Sequence, residues 1–208
     1  MTILQALDRQ VGTITLNGVL ISRDLLLSNN WEVDSDDTVE TLPPAAEAAK
    51  YPTAIPFMPE GIQSQQENPN IKTFGCFFLV CIKYGELLRN RAVGQQEIDD
   101  LYASCLRDGI IERNTFVNDS RRIANRVLNE VRFRPGRKDI PAEQANLKAL
   151  ETLAPIHIVR LFRPRDKATH FVLRIWDGSK WIIWDSLPPN RASNTGYEET
   201  RTSYFLLA

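Results

Sequence analysis

The sequence predicts an α+β domain in which helices come first and an antiparallel sheet follows. Three observations carry that prediction. The run Phe74, Phe77, Phe78, Val80, Ile82, Leu87 and Leu88 is apolar nearly all round, as expected of a helix enclosed by a core. Two later segments repeat apolar residues at helical spacing, with Ile98, Leu101, Tyr102 and Cys105 in one and Ile123, Val127 and Leu128 in the other. Only then come three runs rich in Val, Ile, Trp and Phe, over 156–162, 169–176 and 180–186, separated by turn residues. The expected architecture is a set of N-terminal helices, one of them central and buried, packed on a C-terminal antiparallel sheet.

Local signals place the element ends. Thr73 is a candidate cap for the apolar helix, Gly109 closes the second helix as a left-handed residue, and Asn118 or Asp119 caps the third. Pro164 to Lys167 and Gly178-Ser179 separate the strands. Upstream, alternation between Val11 and Ile21 around Asn17-Gly18 reads as a small β-hairpin. Asp34 to Lys50, with its acidic residues and the Pro43-Pro44 pair, reads as an exposed arm, and Pro52, Pro56, Pro59 and Gly61 prolong it. The expected division is a hairpin and acidic, Pro-rich arm over 1–60 and a main domain over 61–208.

The chain of 208 residues is 43% hydrophobic, enough for one sizeable core plus an appendage. Its formal net charge of -1 points neither to nucleic acid nor to an anionic membrane. The charge is unevenly spread: residues 1–60 hold three basic and nine acidic side chains, the remainder 22 and 17. The cysteines, Cys76, Cys81 and Cys105, are three in number and none lies in a CxxC pair, so reduced thiols in a reducing compartment are expected. The N-terminal residues show no cationic start followed by an apolar run and a small-residue cleavage site, and no apolar run of roughly 18 residues is seen. The expectation is a soluble protein of the cytosol.

Cys76 stands where an irregular segment enters the apolar helix. A thiol there feels the positive end of the helix dipole, which favours the nucleophilic thiolate. The plainer reading is a small apolar side chain in a Phe-rich core. His170 opens one strand and Asp185 closes the next. If Asp177 to Lys180 form the hairpin turn, Trp176 faces Trp181 and Val172 faces Asp185, which puts His170 diagonal to Asp185 at roughly 7–8 Å between backbones. That is within reach of an imidazole and a carboxylate, and a carboxylate holding one ring nitrogen leaves the other to take a thiol proton. His157 lies in an apolar run without an acidic neighbour in register and reads as a structural strand residue.

Two further features have ordinary explanations. The basic stretch Arg121, Arg122, Arg126, Arg132, Arg134, Arg137 and Lys138 can meet an anionic polymer, but a solvated helix face and loop account for it. Trp176, Trp181 and Trp184 read as cross-strand packing.

Gly75-Cys76 at the mouth of a buried helix, His170-Phe171-Val172 on a strand and Trp184-Asp185 about fifteen residues later resemble the papain-like cysteine peptidase superfamily. The likeness is nearest to its compact bacterial branches, the bacteriocin-leader peptidase-like group and small bacterial and prophage proteins, and it covers roughly residues 60 to 190. The resemblance implies a nucleophile at Cys76, a general base and acid at His170 and an orienting carboxylate at Asp185. It also implies a Gln six residues before the nucleophile as oxyanion donor. Asn70 holds that place here, shorter by a methylene, while Gln66, Gln65 and Gln63 can reach back. The implied activity is a thiol hydrolase of peptide or amide bonds that works through an acyl-enzyme and needs no metal or organic cofactor. The rival expectation is the same domain without turnover, serving in binding or assembly.

Overall fold

The computed structural model describes residues 58–188 and 196–207, together with the strands of an N-terminal hairpin. Those strands, β1 (Thr13–Leu16) and β2 (Val19–Ser22), pair antiparallel with Leu16 opposite Val19, in the register that a turn at Asn17-Gly18 requires. The acidic, Pro-rich arm over 34–50 lies outside the described residues.

The main body begins with two short helices, α1 (Ile62–Gln65) and α2 (Pro69–Phe74). Asn68 caps α2 by accepting the N–H groups of Asn70 and Ile71, and Pro69 fills the first helical position, where no N–H is needed. The apolar helix follows at once as α3 (Cys76–Arg89). Thr73, expected to cap it, lies inside α2, and the break falls at Gly75. The Gly75 N–H closes α2 on Ile71 O at 2.8 Å, and Gly75 O accepts the Leu79 N–H at 2.9 Å to open α3. A side chain at residue 75 would put its Cβ 2.4 Å from Ile71 O, so only glycine lets the two helices abut there.

Beyond α3 come α4 (Gln95–Arg107) and α5 (Ser120–Leu128), the latter capped by Asp119 on the Arg122 N–H. Gly109 is left-handed after α4, as expected. The apolar face of α3 is buried: Phe78, Leu79, Val80, Cys81 and Ile82 have no exposed surface. Helix α3 packs between α5 and the sheet.

The sheet is five-stranded, antiparallel throughout, in the order β3 (Phe133–Pro141), β7 (Glu198–Leu207), β4 (Ile156–Arg163), β5 (Ala168–Trp176), β6 (Trp181–Trp184). The β5–β6 hairpin has the expected register, Trp176 opposite Trp181 and Leu173 opposite Trp184. Its turn is held by the Asp177 carboxylate, which accepts the N–H groups of Ser179 and Lys180. A short helix α6 (Leu147–Leu153), capped by Asn146, lies between β3 and β4.

Two strands and α6 depart from the expectation. Part of the basic stretch, 133–138, expected as helix face and loop, is the edge strand β3, where Pro135 and Gly136 interrupt the pairing with a register shift between Phe133 and Arg137. Charge, proline and bulges are the devices that blunt a sheet edge, and they also hide the strand in the sequence.

Close packing recurs at Gly85 of α3. A Cβ there would lie 2.7 Å from Val127 Cβ and 3.0 Å from Ala124 O of α5. Gly85→Ala is therefore expected to destabilise the protein by about 1–3 kcal/mol through overpacking, although alanine is intrinsically the better helix former. Urea unfolding of Gly85→Ala, Val127→Ala and the double variant tests this. Partial recovery in the double variant is expected, and additive losses would show that the two sites do not meet.

Candidate active site

The break at Gly75 gives Cys76 its setting. Cys76 is the first residue of α3, so its N–H and those of Phe77 and Phe78 have no partner within the helix. Lys72 O, the carbonyl that a continuous helix would offer to Cys76 N–H, instead accepts from Gln63 Nε2 at 3.3 Å. The half-buried sulfur sits at the positive end of a 14-residue helix with open N–H groups beside it.

The start of β5 brings His170 to that sulfur, and the end of β6 brings Asp185 to His170. The imidazole Nε2–H donates to Asp185 Oδ1 at 2.7 Å. The Cys76 thiol lies near enough to the same ring to act on its ionisation. With Nε2 committed to the carboxylate, Nδ1 is the nitrogen left for sulfur. Burial alone would drive charge off this ring, which is 2% exposed. The hydrogen bond to Asp185 and the nearby Cys76, with the charges of both, outweigh burial and lift the His170 pKa to about 9.

Asp185 is itself held on several sides. Its carboxylate accepts the Leu187 N–H at 2.8 Å, and its carbonyl accepts the Gly61 N–H at 3.1 Å. Next to it, buried Ser186 donates its hydroxyl to Gln63 Oε1 at 2.8 Å and accepts the Gln63 N–H at its carbonyl. Gln63 thus bridges the strand end carrying Asp185 and the carbonyl of Lys72, four residues before the sulfur.

The residues expected as side-chain oxyanion donors have other partners. Both N–H groups of Gln66 are taken, by Ile62 O and Gln95 Oε1, and the Gln95 amide donates back to Gln66 Oε1. Asn70 donates to the Tyr102 hydroxyl at 3.3 Å. The sequence reading missed Tyr197, whose ring centroid lies 5.9 Å from that of His170 and 4.6 Å from the Arg163 guanidinium carbon. An isolated tyrosine in a polar stretch carries no periodic or motif signal by which to find it.

An open groove of about 400 Å³ is lined by Phe77, the residue after Cys76. Val117, Ser120 and Arg121 around the start of α5 line it too, with Pro135 and Arg137 on the edge strand. Phe77 stacks on Phe171 at 4.2 Å, so the neighbours of Cys76 and His170 pack on each other, and Arg137 caps the pair from above Phe77 at 5.4 Å.

The remaining candidates have structural surroundings. Burial pushes the thiols of Cys81 and Cys105 up, away from the thiolate. Most of the basic stretch is neutralised locally: Arg121 pairs with Asp119, Arg126 with Asp108, Arg132 with Glu130 and Arg137 with Asp139. Trp176 and Trp181 pack across the hairpin at 5.3 Å. Among the described residues no group of three or more His, Cys, Asp or Glu is placed to hold a metal, and no helix is long and apolar enough to cross a membrane.

His157 is the opposite of His170. It has no exposed surface, faces Arg174 across the sheet, packs on Trp181 and donates Nδ1–H to Ala154 O at 3.0 Å, while Nε2 has no hydrogen bond. Burial first, then Arg174, lowers its pKa to about 4. The unfolded chain binds this proton near the ordinary His value of about 6.5, so between those values the unfolded state holds more protons than the folded one. The stability present above pH 6.5 is lost as pH falls toward about 4, by about 3 kcal/mol in all. His170, raised instead, loses nothing over this acid window. Urea unfolding at pH 7 and pH 4.5 is expected to show a smaller acid loss for His157→Asn than for the wild type, and equal losses would refute the assignment.

Comparison with known proteins adds one relationship. No curated protein and no solved structure gives a match. The family described as "Protein of unknown function, DUF261" matches residues 60–203, which takes in Cys76, His170 and Asp185, and the chain belongs to that family.

Proposed function

We propose that this protein is a cysteine-dependent hydrolase of peptide or amide bonds, built on the papain-like plan and acting through an acyl-enzyme. The observation that carries the reading is the His170 imidazole held by Asp185 through Nε2, with Cys76 near enough to act on its charge, at the open N-terminus of a buried helix. That is the set of groups acyl transfer needs. With the Cys76 proton resting on His170 as an imidazolium–thiolate pair, the sulfur attacks the carbonyl carbon. A carbon–sulfur bond forms as the carbonyl electron pair moves to oxygen. Collapse expels the amine, which takes the proton held by His170. Water, deprotonated by the same imidazole, then releases the acid and restores the pair. The groove beside Phe77 receives the chain next to the scissile bond. The three free cysteines suit a reducing compartment such as the cytosol.

The commitment of both Gln66 amide hydrogens to other partners supports a second reading, the same domain without turnover, used for binding or assembly.

Alkylation by iodoacetamide, followed at each cysteine by mass, separates the two. Cys76 is expected to react faster than glutathione at pH 6, and His170→Ala to abolish that advantage. Slower reaction than glutathione at this pH would sink the hydrolase reading. On an amide substrate that the enzyme turns over, His170→Ala is expected to cost about 10²–10⁴-fold in rate, with Asp185→Asn intermediate. The pH dependence has a definite sign. The raised His170 pKa keeps the leaving amine supplied with a proton up to about pH 9, so amide turnover declines through that pH while alkylation of Cys76 does not.

A further inference from the structure

A thiol acyl transfer generates an oxyanion, and one donor for it is evident: the Cys76 N–H, at the open end of α3. The side-chain donor that usually accompanies it is not supplied by Gln66, whose amide hydrogens are both taken, and Asn70 is turned to Tyr102. Tyr197 stands beside the histidine that serves this reaction. Its ring lies next to the His170 imidazole, the residue is half-buried, and its hydroxyl makes no hydrogen bond to the described residues. Burial raises the phenol's pKa, Arg163 opposes the rise, and the charges of Asp166, Cys76 and Asp185 add to it, so the phenol keeps its proton. The Arg163 guanidinium over its face draws density from the ring and makes the hydroxyl the stronger donor, while the Arg163–Asp166 pair at 2.7 Å holds that guanidinium in position.

We infer that Tyr197 is a catalytic residue of the acyl-transfer step, its hydroxyl donating a hydrogen bond to the developing oxyanion opposite the Cys76 N–H. The inference rests on the hydrolase reading. Tyr197 keeps its proton throughout: sulfur supplies the electron pair that bonds to carbon, the carbonyl pair localises on oxygen under the two donors, and the leaving group takes its proton from His170.

The decisive comparison uses two reagents on the full chain. Iodoacetamide alkylates sulfur by displacement of iodide and forms no oxyanion, whereas p-nitrophenyl acetate acylates sulfur through one. Tyr197→Phe is expected to leave Cys76 alkylation unchanged and to slow the p-nitrophenolate burst by about 100-fold. Wild-type Cys76 that fails to be alkylated faster than glutathione overturns the hydrolase reading. Wild-type acylation matched by Tyr197→Phe overturns the role of Tyr197 alone. Equal slowing of both reagents also overturns it, because the ring would then act on the Cys76–His170 pair. Arg163→Gln, which keeps Tyr197 but removes the cation from its face, is expected to slow acylation by a smaller factor with alkylation unchanged, and no change in acylation would remove Arg163 from the argument.

Discussion

The geometry of the site turns on the carboxylate of Glu86, which is buried with no exposed surface in the middle of the body. It accepts the Met58 N–H at 3.0 Å, the Val93 N–H at 2.9 Å and the Lys83 ammonium at 2.7 Å. Lys83 in turn lies over the ring of Trp184, whose Nε1–H donates to Met58 O at 2.9 Å. One carboxylate therefore ties together the helix that begins with Cys76, the entry of the chain into the body, the loop after α3, and, through Lys83, the residue just before Asp185. Burying an ion pair is expensive, and removing one partner alone is costlier still. What the pair provides is a fixed relation between α3 and β6, two elements about a hundred residues apart in the chain, and that relation is what a sulfur–imidazole–carboxylate alignment requires.

A second set of bonds works at the site itself. Gly61 and Gln63 hold the backbone of Asp185 and Ser186, and Gln63 reaches from there to Lys72 O. The bond that α2 and α3 give up at Gly75 is thus replaced by a side chain anchored beside Asp185. Any movement of the carboxylate is felt at the end of the helix that presents the thiol. The two histidines show how local charge decides ionisation within one sheet. His157 and His170 are both buried, yet His157 meets Arg174 and a carbonyl and is held neutral, whereas His170 meets a carboxylate and a sulfur and is held charged. Burial is common to both, and the sign of the neighbour makes the difference.

The sequence was legible where a periodic signal coincided with burial. The apolar α3, the helical spacing of α4 and α5, and the Val-, Ile- and Trp-rich strands β4 to β6 each announce themselves, and the turn at Asp177 to Lys180 fixes a register from which the His170–Asp185 contact follows by counting. Strand β3 was hidden because an edge strand carries charges, Pro135 and Gly136, and β7 because its first half, Glu198 to Arg201, is polar and solvent-facing. The helix start was misplaced from Thr73 to Cys76 because two helices abut at Gly75, and their junction depends on a steric fit to Ile71 that no propensity records. The amide partners escaped for a related reason. Spacing places Asn70 and Gln66 near Cys76, but which way an amide turns is decided by Tyr102 and Gln95, residues of α4 that local sequence does not bring into view.

The groove beside Phe77 completes the electrostatic account. The charges along it occur as pairs, Arg121 with Asp119 and Arg137 with Asp139, so it presents rings and backbone rather than a net field. The basic stretch consequently does little at long range, since paired exposed charges are largely cancelled and screened. The field that acts on Cys76 is instead generated within a few ångströms, by the open end of α3 and by a charged imidazole in a site of low polarity, where such interactions are strongest. A site built this way depends on burial and alignment more than on surface charge. That dependence is why the interior of this protein, with its buried carboxylate, its glycine junction and its held strand end, is organised around the first turn of a single helix.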